Sequence, residues 1–524
     1  MVQLTTQINT TRPIKRIAAI DLGTNSFHAV IVDIFSDGSF RKVDDLKEMV
    51  QLAKGGLGKS LSRPAFQRGI NALRKIKVLC DSYGVERILA YATSAIRESE
   101  NGGEFIQKSI DELGIKIRAI PGTMEAELIG YAVQHGVRLA DEPVLMVDIG
   151  GGSVEFILGN AKEFFFLSSK KIGVSRMTDI FKPSDPITND NISELEAHYE
   201  EELMEVWEAL KKNPIRTIIG SSGTMQNIGM VIADQKNQPT SITINELEFT
   251  AEDFFNFYDW FITLDRDERR KIPGLDSKRI DFINTGVVLV NLLLKKFHID
   301  KVKVSTQALR EGIIIRHLKK DMEEVSVAEE IADPRRRSVF ELLRKCNWHE
   351  KHSRKVAELA LVIFDELYQD LSLTQEDREL LEYAAYLHDI GYHISHKAHH
   401  KHALYIIRNS DLMGFRQNEI EIMAHVARYH RRSTPKKRHI EYWGLKPEVR
   451  MRIKKLSGIL RVADGLDRSH FQNVIDLKVQ KKEKELMLTI KTLDEPHLEI
   501  WGASRKAYLL GEVLGKEVVI RRGN

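Results

Sequence analysis

Two stretches of this chain have nearly the same pattern of residues. Residues 17–32 read IAAIDLGTNSFHAVIV, and residues 144–159 read VLMVDIGGGSVEFILG. Each is an apolar strand that ends in an aspartate, followed by a glycine turn with a hydroxyl residue and by a second apolar strand. The matching positions are Asp21 with Asp148, Gly23 with Gly150, and Ser26 with Ser153. The repeat predicts a duplicated domain.

Each of these turns also has a chemical implication. A glycine turn presents backbone N–H groups, hydroxyls and one carboxylate at a single point, as a bound phosphate with its metal requires. Gly23, Gly150, Gly151 and Gly152 let the backbone approach an anion closely. A carboxylate beside phosphate needs a cation between them, which implies Mg²⁺ or Mn²⁺. The alternative is a pair of hairpins with ordinary Asx turns.

Length and composition limit the class of protein. A chain of 524 residues is too long for one core and predicts three or four domains. Net charge is only +3, so we expect no nucleic-acid partner. Two cysteines, Cys80 and Cys346, exclude a disulfide framework and are typical of a reducing cytosol. The longest apolar runs, such as 286–294, are too short for a bilayer, so the protein is expected to be cytoplasmic with no membrane partner.

The order of patterns predicts an α/β fold class followed by a helical region. Strands and helices alternate up to about residue 315, the pattern from 339 to about 470 is almost wholly helical, and a small α+β tail follows. The predicted strands include 17–21, 27–34, 87–92, 115–121, 164–168 and 215–220, and the predicted helices include 64–83, 124–136, 191–212 and 251–263. The predicted domains are 1–124, 125–316, 317–472 and 473–524.

Two further loops are candidates for anion binding. The loop Gly220–Thr224 follows an apolar strand and precedes a helix, so N–H groups near Ser221, Ser222 and Gly223 are placed to bind an anion. The loop 93–97 ends in an arginine that can fork two hydrogen bonds onto phosphate. Alternatively, the loop at 220–224 is only a connection between a strand and a helix, and the arginine of the loop at 93–97 is an ordinary solvated side chain.

Six motifs in a fixed order resemble the exopolyphosphatase/guanosine pentaphosphate phosphohydrolase (Ppx/GppA) family in its longer form. The motifs are DLGTNSFHAVI at 21–31, ATSAIRES at 92–99, EAELIGYA at 125–132, DIGGGSVEFI at 148–157, GSSGT at 220–224 and ALREGII at 308–314. The resemblance is dense over 14–320. It implies a duplicated actin-like half, of the ribonuclease H-like, sugar kinase and heat-shock ATPase fold group, and then an all-α HD-like domain.

The resemblance also implies residue roles. Glu125 matches the family's catalytic glutamate, which activates the attacking water, although position alone would not separate it from Glu127. Asp148 and Glu155 match the carboxylates that hold the metal or orient phosphate. The implied phosphate shell comprises Asp21, Gly23, Thr24, Asn25, Ser26, Ser94, Arg97, Gly150, Gly151, Gly152 and Ser153.

A long polyanion needs a path, and two basic runs are candidates for it. They are Arg335, Arg336 and Arg337, and then Arg428, Arg431, Arg432, Lys436, Lys437 and Arg438. The alternative for each residue is an ordinary solvated surface.

Histidines and aspartates in the helical region follow the order His…His-Asp…Asp, the signature of HD-type metal-dependent phosphohydrolases. These residues are His352, the pair His388-Asp389, and Asp464. His402 and His430 are predicted to add a second metal position. The region is then a second hydrolase or a nucleotide-sensing site with its own divalent metal. The alternative is a remnant fold in which buried histidines are merely satisfied.

The leading hypothesis for function is an exopolyphosphatase that hydrolyses the terminal phosphate of inorganic polyphosphate. The nearest alternative is a guanosine pentaphosphate (pppGpp) 5′-phosphohydrolase, which uses the same chemistry. A sugar or acetate kinase of the same fold and a non-catalytic nucleotide-binding regulator are the alternatives from other classes. A homodimer is expected from the resemblance.

Overall fold

The computed structural model describes residues 13–36, 38–52, 60–238, 243–321, 333–346 and 348–523. They form two compact units, Met1–Arg337 and Ser338–Asn524, which we call the N-terminal unit and the C-terminal unit. The four domain boundaries drawn from the sequence stay a prediction. Among the described helices, none is both long and apolar enough to cross a membrane.

The N-terminal unit begins with a five-stranded sheet and its helices. Its elements are β1 Lys15–Leu22, β2 Ser26–Ile34, β3 Phe40–Met49, α1 Arg63–Ser82, β4 Arg87–Ala92, α2 Ser94–Arg97, α3 Gly102–Leu113, β5 Ile117–Ala119 and α4 Gly122–Gly136. The strand order is β3-β2-β1-β4-β5. The pairs β1–β2 and β2–β3 are antiparallel, whereas β1–β4 and β4–β5 are parallel.

A second sheet repeats this arrangement. Its elements are β6 Val144–Ile149, β7 Val154–Gly159, β8 Phe164–Lys170, α5 Val174–Phe181, α6 Asn189–Glu202, α7 Met204–Lys212, β9 Thr217–Ser221, α8 Ser222–Gln235, β10 Glu248–Thr250, α9 Ala251–Phe261, α10 Arg266–Arg269, α11 Ile283–Phe297, β11 Lys301–Val304 and α12 Leu309–Asp321. The strand order is β8-β7-β6-β9-β11-β10, with the same strand directions through β11. The duplicated actin-like fold is therefore confirmed.

Some predicted elements differ in detail from those observed. The predicted helix 191–212 is two helices, α6 and α7, because the backbone at Leu203 leaves the helical ladder. The predicted strand 115–121 shortens to the three residues of β5. The strands β3, β10 and β11 were not predicted. In β3, charged residues are mixed with apolar ones on a half-exposed surface, so the strand has no apolar run.

Helices α4 and α12 pack against both sheets. One apolar cluster joins Ile17 of β1 and Ile157 of β7 with Leu128 of α4 and Ile313 of α12. The two helices cross at Gly312, where an added Cβ would lie 1.9 Å from a carbonyl oxygen of α4. Because this close crossing fixes α4, it also fixes the first turn of α4, where Glu125 lies.

The remainder of the chain is helical and then mixed. Its elements are α13 Pro334–Lys345, α14 Glu350–Leu367, α15 Gln375–Leu387, a 3-10 helix Ile390–His393, α16 His399–Arg408, α17 Gln417–Arg428, α18 Ile440–Trp443, α19 Pro447–Leu466, β12 Val474–Lys481, β13 Glu485–Thr492, α20 His497–Lys506, α21 Tyr508–Leu514 and β14 Glu517–Arg522. A three-stranded sheet, β12-β13-β14, ends the unit. One apolar core joins α14, α15, α17 and α19 with this sheet.

Candidate functional site

The two glycine turns have the same internal geometry. In the turn after β1, the Gly23 N–H donates to the carbonyl of Ser26 at 3.2 Å, and after β6 the Gly150 N–H donates to that of Ser153 at 3.0 Å. A Cβ at Gly150 would lie 2.9 Å from the carbonyl oxygen it faces. Glycine is required here because the turn leaves no space for a side chain.

The two turns face each other. An added Cβ on Gly151 would lie 2.8 Å from Nδ2 of Asn25, and one on Gly152 would lie 2.4 Å from Oγ of Ser94. The hydroxyls of Thr24 and Ser94 are hydrogen-bonded at 3.1 Å. Side chains from the first half of the unit therefore meet the backbone of the second turn.

Ser175 and Arg176, which follow the second turn in the chain, strengthen the contact between the two turns. The Asn25 amide donates to Oγ of Ser175 at 3.1 Å. Arg176 donates from Nε to the Gly152 carbonyl at 2.8 Å and from Nη2 to Glu98 at 2.9 Å. These bonds join the first residues of α5 to Asn25 in the first turn and to Glu98, which follows the 93–97 loop. They therefore hold the two halves of the unit together around the turns.

Asp21 and Asp148 occupy equivalent positions near the carboxyl ends of β1 and β6. In the antiparallel pairs, Asp21 lies opposite His28 and Asp148 lies opposite Glu155. Residues directly opposite each other point to the same face of a sheet. Asp148 and Glu155 therefore share one face, and Glu155 also accepts a hydrogen bond from Ser169 at 2.8 Å.

Glu125 lies close to both aspartates and is only 6% exposed. Arg97 donates to its Oε2 at 3.0 Å and to the carbonyl of Ile120 at 2.8 Å, which fixes the guanidinium between α2 and α4. Burial, together with repulsion from Asp21 and Asp148, raises the pKa of Glu125 to about 8 against the attraction of Arg97. This places the carboxyl in the range suited to a general base near neutral pH.

The other carboxyls of the group are perturbed in the same direction. Burial, followed by repulsion from Asp148, raises the pKa of Asp21 to about 7. Burial also raises the pKa of Asp148, and burial with repulsion from Glu125 and Asp148 raises that of Glu155 well above its ordinary value. Hard divalent cations prefer oxygen ligands of this kind and would relieve the repulsion. The kind of ligand therefore suits Mg²⁺ or Mn²⁺, and Mg²⁺ usually takes one or two protein carboxylates together with waters.

The loop at 220–224 lies beside the second turn. Ser221 donates to Asp148 at 2.5 Å, and Ser222 donates to the carbonyl of Ile149 at 2.9 Å. An added Cβ on Gly223 would overlap the guanidinium of Arg279, at 1.9 Å from Nη2. The loop thus orients Asp148 and seats an arginine, while its own role in anion binding stays a prediction.

The basic run at 335–337 does not provide an open path for a polyanion. Arg335 and Arg337 are 4% and 5% exposed, and Arg337 donates to the carbonyl of His135. Neither the predicted path for a polyanion nor the alternative of a solvated surface fits these two buried arginines, because α13 begins at Pro334 and turns them into the protein. The cations that act on the site carboxylates include Arg279, Arg310 and Lys47.

A separate cluster of histidines and aspartates lies in the C-terminal unit. Nε2 of His352 lies 3.9 Å from Asp389 and 3.7 Å from Asp464, and Nε2 of His388 lies 3.6 Å and 3.9 Å from the same two carboxylates. Both Nε2 atoms are buried without a hydrogen-bond partner. Ligand atoms about 2.0–2.2 Å from one ion lie about 3–4 Å apart, so His352, His388 and Asp389 fit a shared cation, with Asp464 beside them.

The other ring nitrogen, Nδ1, holds each of these two imidazoles in place. Nδ1 of His352 lies 2.8 Å from Asp467, one helical turn beyond Asp464, and Nδ1 of His388 lies 2.7 Å from the carbonyl of Ala385. A ring N–H given to a carboxylate or a carbonyl leaves the other nitrogen free to bind a metal, as in known metal centres. The two orphaned Nε2 atoms are consistent with this role.

A second donor group shares Asp389. Its Oδ1 lies 3.2 Å from Nε2 of His399 and 3.5 Å from Nε2 of His430, whereas its Oδ2 faces the first group. The donor from α16 is therefore His399 and not the predicted His402, which is half-buried one turn further along the helix. His399 lies in the first turn of α16, and this turn is the part of the helix that lies next to Asp389.

Comparisons with known proteins assign the family. The model of the Ppx/GppA phosphatase family matches residues 30–321, and the model of Ppx/GppA phosphatase domain III matches residues 335–501. The chain belongs to the Ppx/GppA phosphatase family. The recognition made from the six motifs is thus confirmed.

Two solved structures resemble the chain over much of its length. An exopolyphosphatase from Cytophaga hutchinsonii has 31% identity and a TM-score of 0.56, over 60% of this chain and 100% of that one. A Ppx/GppA family member from Aquifex aeolicus has 27% identity and a TM-score of 0.52, over 59% of this chain and 99% of that one. This Ppx/GppA chain is therefore longer than both.

Several site residues of this Ppx/GppA protein were missed in the sequence. Arg310 lies inside the recognised ALREGII motif, and Asp467 follows Asp464 by three residues, so both had a local signal. Ser175, Arg279 and His399 had none, since their positions depend on chain segments distant in the sequence.

Proposed function

We propose that the N-terminal unit is an exopolyphosphatase that releases the terminal phosphate of inorganic polyphosphate, with Glu125 as the general base. The observation that carries this proposal is Glu125 itself, which is buried at the head of α4, is paired with Arg97, and is near enough to Asp21 and Asp148 for their charges to raise its pKa. Asp21 and Asp148 immediately precede the two opposed glycine turns, and these turns are the proposed site of the phosphoryl group.

The proposed reaction is an in-line displacement by water. Glu125 accepts a proton from the water as its oxygen forms a bond to the terminal phosphorus, the phosphoanhydride bond breaks, and the shortened polyphosphate leaves with the electron pair. Backbone N–H groups of the two turns and the hydroxyls of Thr24, Ser94 and Ser153 position the phosphoryl oxygens. Arg97 keeps the base in place.

A divalent cation fits the oxygen donors of this site. Asp148, with Glu155 opposite it on the same face, would hold the cation together with water, and a bound cation would neutralise charge on the phosphoryl oxygens. Both protein donors are carboxylates, which favours Mg²⁺ or Mn²⁺ over softer metals. Ser221 orients Asp148 for this role.

The choice of inorganic polyphosphate over pppGpp is supported by charge. Arg279, Arg310 and Lys47 act on the carboxylates of the site, and a chain of phosphates can use several such cations beyond the terminal phosphoryl group. The relative from Cytophaga hutchinsonii is described as an exopolyphosphatase. A buried carboxyl with a raised pKa at the head of α4 supports activation of water, which favours a hydrolase over a kinase or a non-catalytic regulator.

Phosphate release from purified protein tests the proposal. With Mg²⁺ or Mn²⁺, we expect kcat/KM for inorganic polyphosphate to exceed that for pppGpp, each at matched phosphate concentration. A large preference for pppGpp would reverse the assignment of substrate. No release from either, or coupled transfer of phosphate from a nucleotide to a small acceptor, would refute the hydrolase. The expected homodimer is checked separately by light scattering.

A further inference from the structure

Glu98 follows α2 and connects the two halves of the N-terminal unit through one carboxylate. Its side chain is 10% exposed. Oε2 accepts a hydrogen bond from Arg176 at 2.9 Å and lies 3.2 Å from Nζ of Lys171, while Oε1 lies 3.7 Å from Nη2 of Arg97. Arg97 belongs to the first half, whereas Lys171 and Arg176 belong to the second. One nearly buried carboxylate is therefore shared by cations of both halves.

On one side, this carboxylate faces the arginine that holds the proposed base. Arg97 donates from Nη1 to Oε2 of Glu125 at 3.0 Å, and its Nη2 is the nitrogen that faces Glu98. Both nitrogens belong to one rigid, planar guanidinium. A displacement of Glu98 therefore changes the angle at which Arg97 presents Nη1 to Glu125.

On the other side, the carboxylate is connected to the second glycine turn through Arg176. The guanidinium that donates to Glu98 also donates from Nε to the carbonyl of Gly152 at 2.8 Å. The backbone N–H of Arg176 donates to the carbonyl of Gly151 at 3.1 Å. Since Arg176 is fixed to this turn by both its backbone and its side chain, Glu98 is held at a set distance from the turn.

These contacts form a continuous line from the proposed base to the turn proposed to hold the phosphoryl group. Its members, in order, are Glu125, Arg97, Glu98, Arg176 and Gly152, and the distances between consecutive members run from 2.8 to 3.7 Å. Attack by water requires the reacting atoms to lie about 3–3.5 Å apart, and an error of about 1 Å can cost about 100-fold in rate. A base and a phosphoryl site on separate segments therefore need a connection of this kind.

One unused oxygen distinguishes this arrangement from an ordinary ion pair. Oε1 of Glu98 is buried, and no described residue donates a hydrogen bond to it. Buried polar atoms normally have such a partner, and Arg97 is the cation that faces this one. Arg97 is instead bonded to Glu125 and to the carbonyl of Ile120. Glu98 thus attracts Arg97 without removing it from the base.

We propose that Glu98 is a positioning residue for the hydrolysis. Acting through Arg97 on one side and Arg176 on the other, it sets the distance between Glu125 and the phosphoryl group at the second turn. It acts only through these two arginines and has no contact with the substrate. The inference rests on the proposed role of Glu125 as the base, whereas the connection itself is a property of the protein without substrate.

Kinetics give the first test, with full-length protein, Mg²⁺ and inorganic polyphosphate. Glu98→Gln keeps the shape but presents no charge to Arg97, and Arg176→Lys keeps the charge but cannot donate to both Glu98 and Gly152. We expect each to lower kcat by about 10- to 100-fold, with KM for polyphosphate within about threefold of the wild type. The double variant should be no slower than the slower single variant, because both changes break the same line.

Lys171→Gln is the matched control. It removes an ion pair from the same carboxylate, but Lys171 is 66% exposed and lies outside the line between the base and the turn. We expect its kcat to stay within about twofold of the wild type. Thermal unfolding checks that each variant is folded.

Hydrogen exchange without substrate gives the second test, which does not depend on activity. The line connects Arg176 to the head of α4 through Glu98 and Arg97. In Arg176→Lys and in Glu98→Gln, amides of the first two turns of α4, residues 122–129, should exchange at least about threefold faster than in the wild type. The Lys171→Gln protein should exchange like the wild type.

Four results would overturn the proposal. They are a folded Glu98→Gln enzyme with kcat within threefold of the wild type, a raised KM with unchanged kcat, losses that multiply in the double variant, and unchanged exchange at α4 in Arg176→Lys. A wild type without phosphate release, or a fully active Glu125→Gln, would refute the base and with it any positioning of that base. The exchange result would still show whether the connection exists, so the two failures are distinguishable.

Discussion

Replacing Glu125 by glutamine removes the proposed base and keeps its shape. Glutamine can still accept the hydrogen bond that Arg97 donates at 3.0 Å, so the packing around α4 should survive. A positioned general base contributes about 10²–10⁴-fold to rate. We expect kcat for polyphosphate to fall by that factor while KM changes little, because the turns and their hydroxyls remain.

The pH dependence follows from the raised pKa of Glu125. A base must be unprotonated to accept a proton, and burial with the repulsion of two aspartates raises the Glu125 pKa to about 8. In the wild type, kcat/KM at low cation concentration should therefore rise about tenfold per pH unit between pH 6 and 8 and then level off. Added Mg²⁺ should move this limb to lower pH, because a nearby cation favours the carboxylate.

The same pKa predicts a change in stability. A carboxyl whose folded-state pKa is about 8, against an ordinary value of 4.5, stabilises the fold at low pH and loses that contribution as the pH rises through 8. Glutamine resembles the protonated form. The variant should be more stable than the wild type by at most about 4 kcal/mol at pH 8, and by less than about 1 kcal/mol at pH 5.

Thermal unfolding in chelator at pH 5 and pH 8, paired with phosphate release from pH 5.5 to 9, measures both effects. Glu127→Gln is the matched control: this neighbour accepts a hydrogen bond from Tyr131 at 3.1 Å, and its loss should leave rate and pH profile unchanged. A Glu125→Gln enzyme within tenfold of wild-type activity, or one that keeps the rise in kcat/KM between pH 6 and 8, would refute the assignment of the base.

Three further changes test the geometry of the N-terminal unit. Gly152→Ala places a Cβ 2.4 Å from Oγ of Ser94, so polyphosphate hydrolysis should fall about 100-fold with little change in melting temperature; unchanged activity would mean that the turns are not the phosphoryl site. Ser221→Ala removes the hydroxyl that donates to Asp148, so the KM for Mg²⁺ should rise about tenfold in a magnesium titration. Gly312→Val forces α12 away from α4 and should cost about 2–3 kcal/mol in denaturant unfolding, whereas a stable variant would contradict the close crossing.

The sequence was most informative where function depends on neighbouring residues. The strand–turn–strand pattern around Asp21 and Asp148 predicted both sheets' central hairpins, because continuous apolar runs and a glycine turn are local properties. Glu125 was different: its spacing resembles that of any helix-surface carboxylate, and only the family resemblance selected it over Glu127. Its contact with Arg97 joins positions 28 residues apart, which no local pattern contains.

The C-terminal unit shows the same division. His352, His388, Asp389 and Asp464 were predicted from their order, and the structure brings them together. The sequence suggested His402 for the second group, whereas the structure places His399 next to Asp389, because α16 begins at His399. The basic run at 428–438 was predicted to serve a long chain of phosphates; two of its members, Arg431 and Arg432, line a cavity of about 350 Å³.

By itself, the sequence determined the duplicated hairpins, the helical character of residues 339–470 and the kinds of side chain available for phosphate and metal chemistry. These follow from backbone preferences and apolar periodicity, which act over a few residues. Only the tertiary structure decided which imidazole meets Asp389 and how far burial raises the pKa of Glu125. Desolvation and donor geometry depend on the packing of segments distant in the chain, so no local pattern contains them.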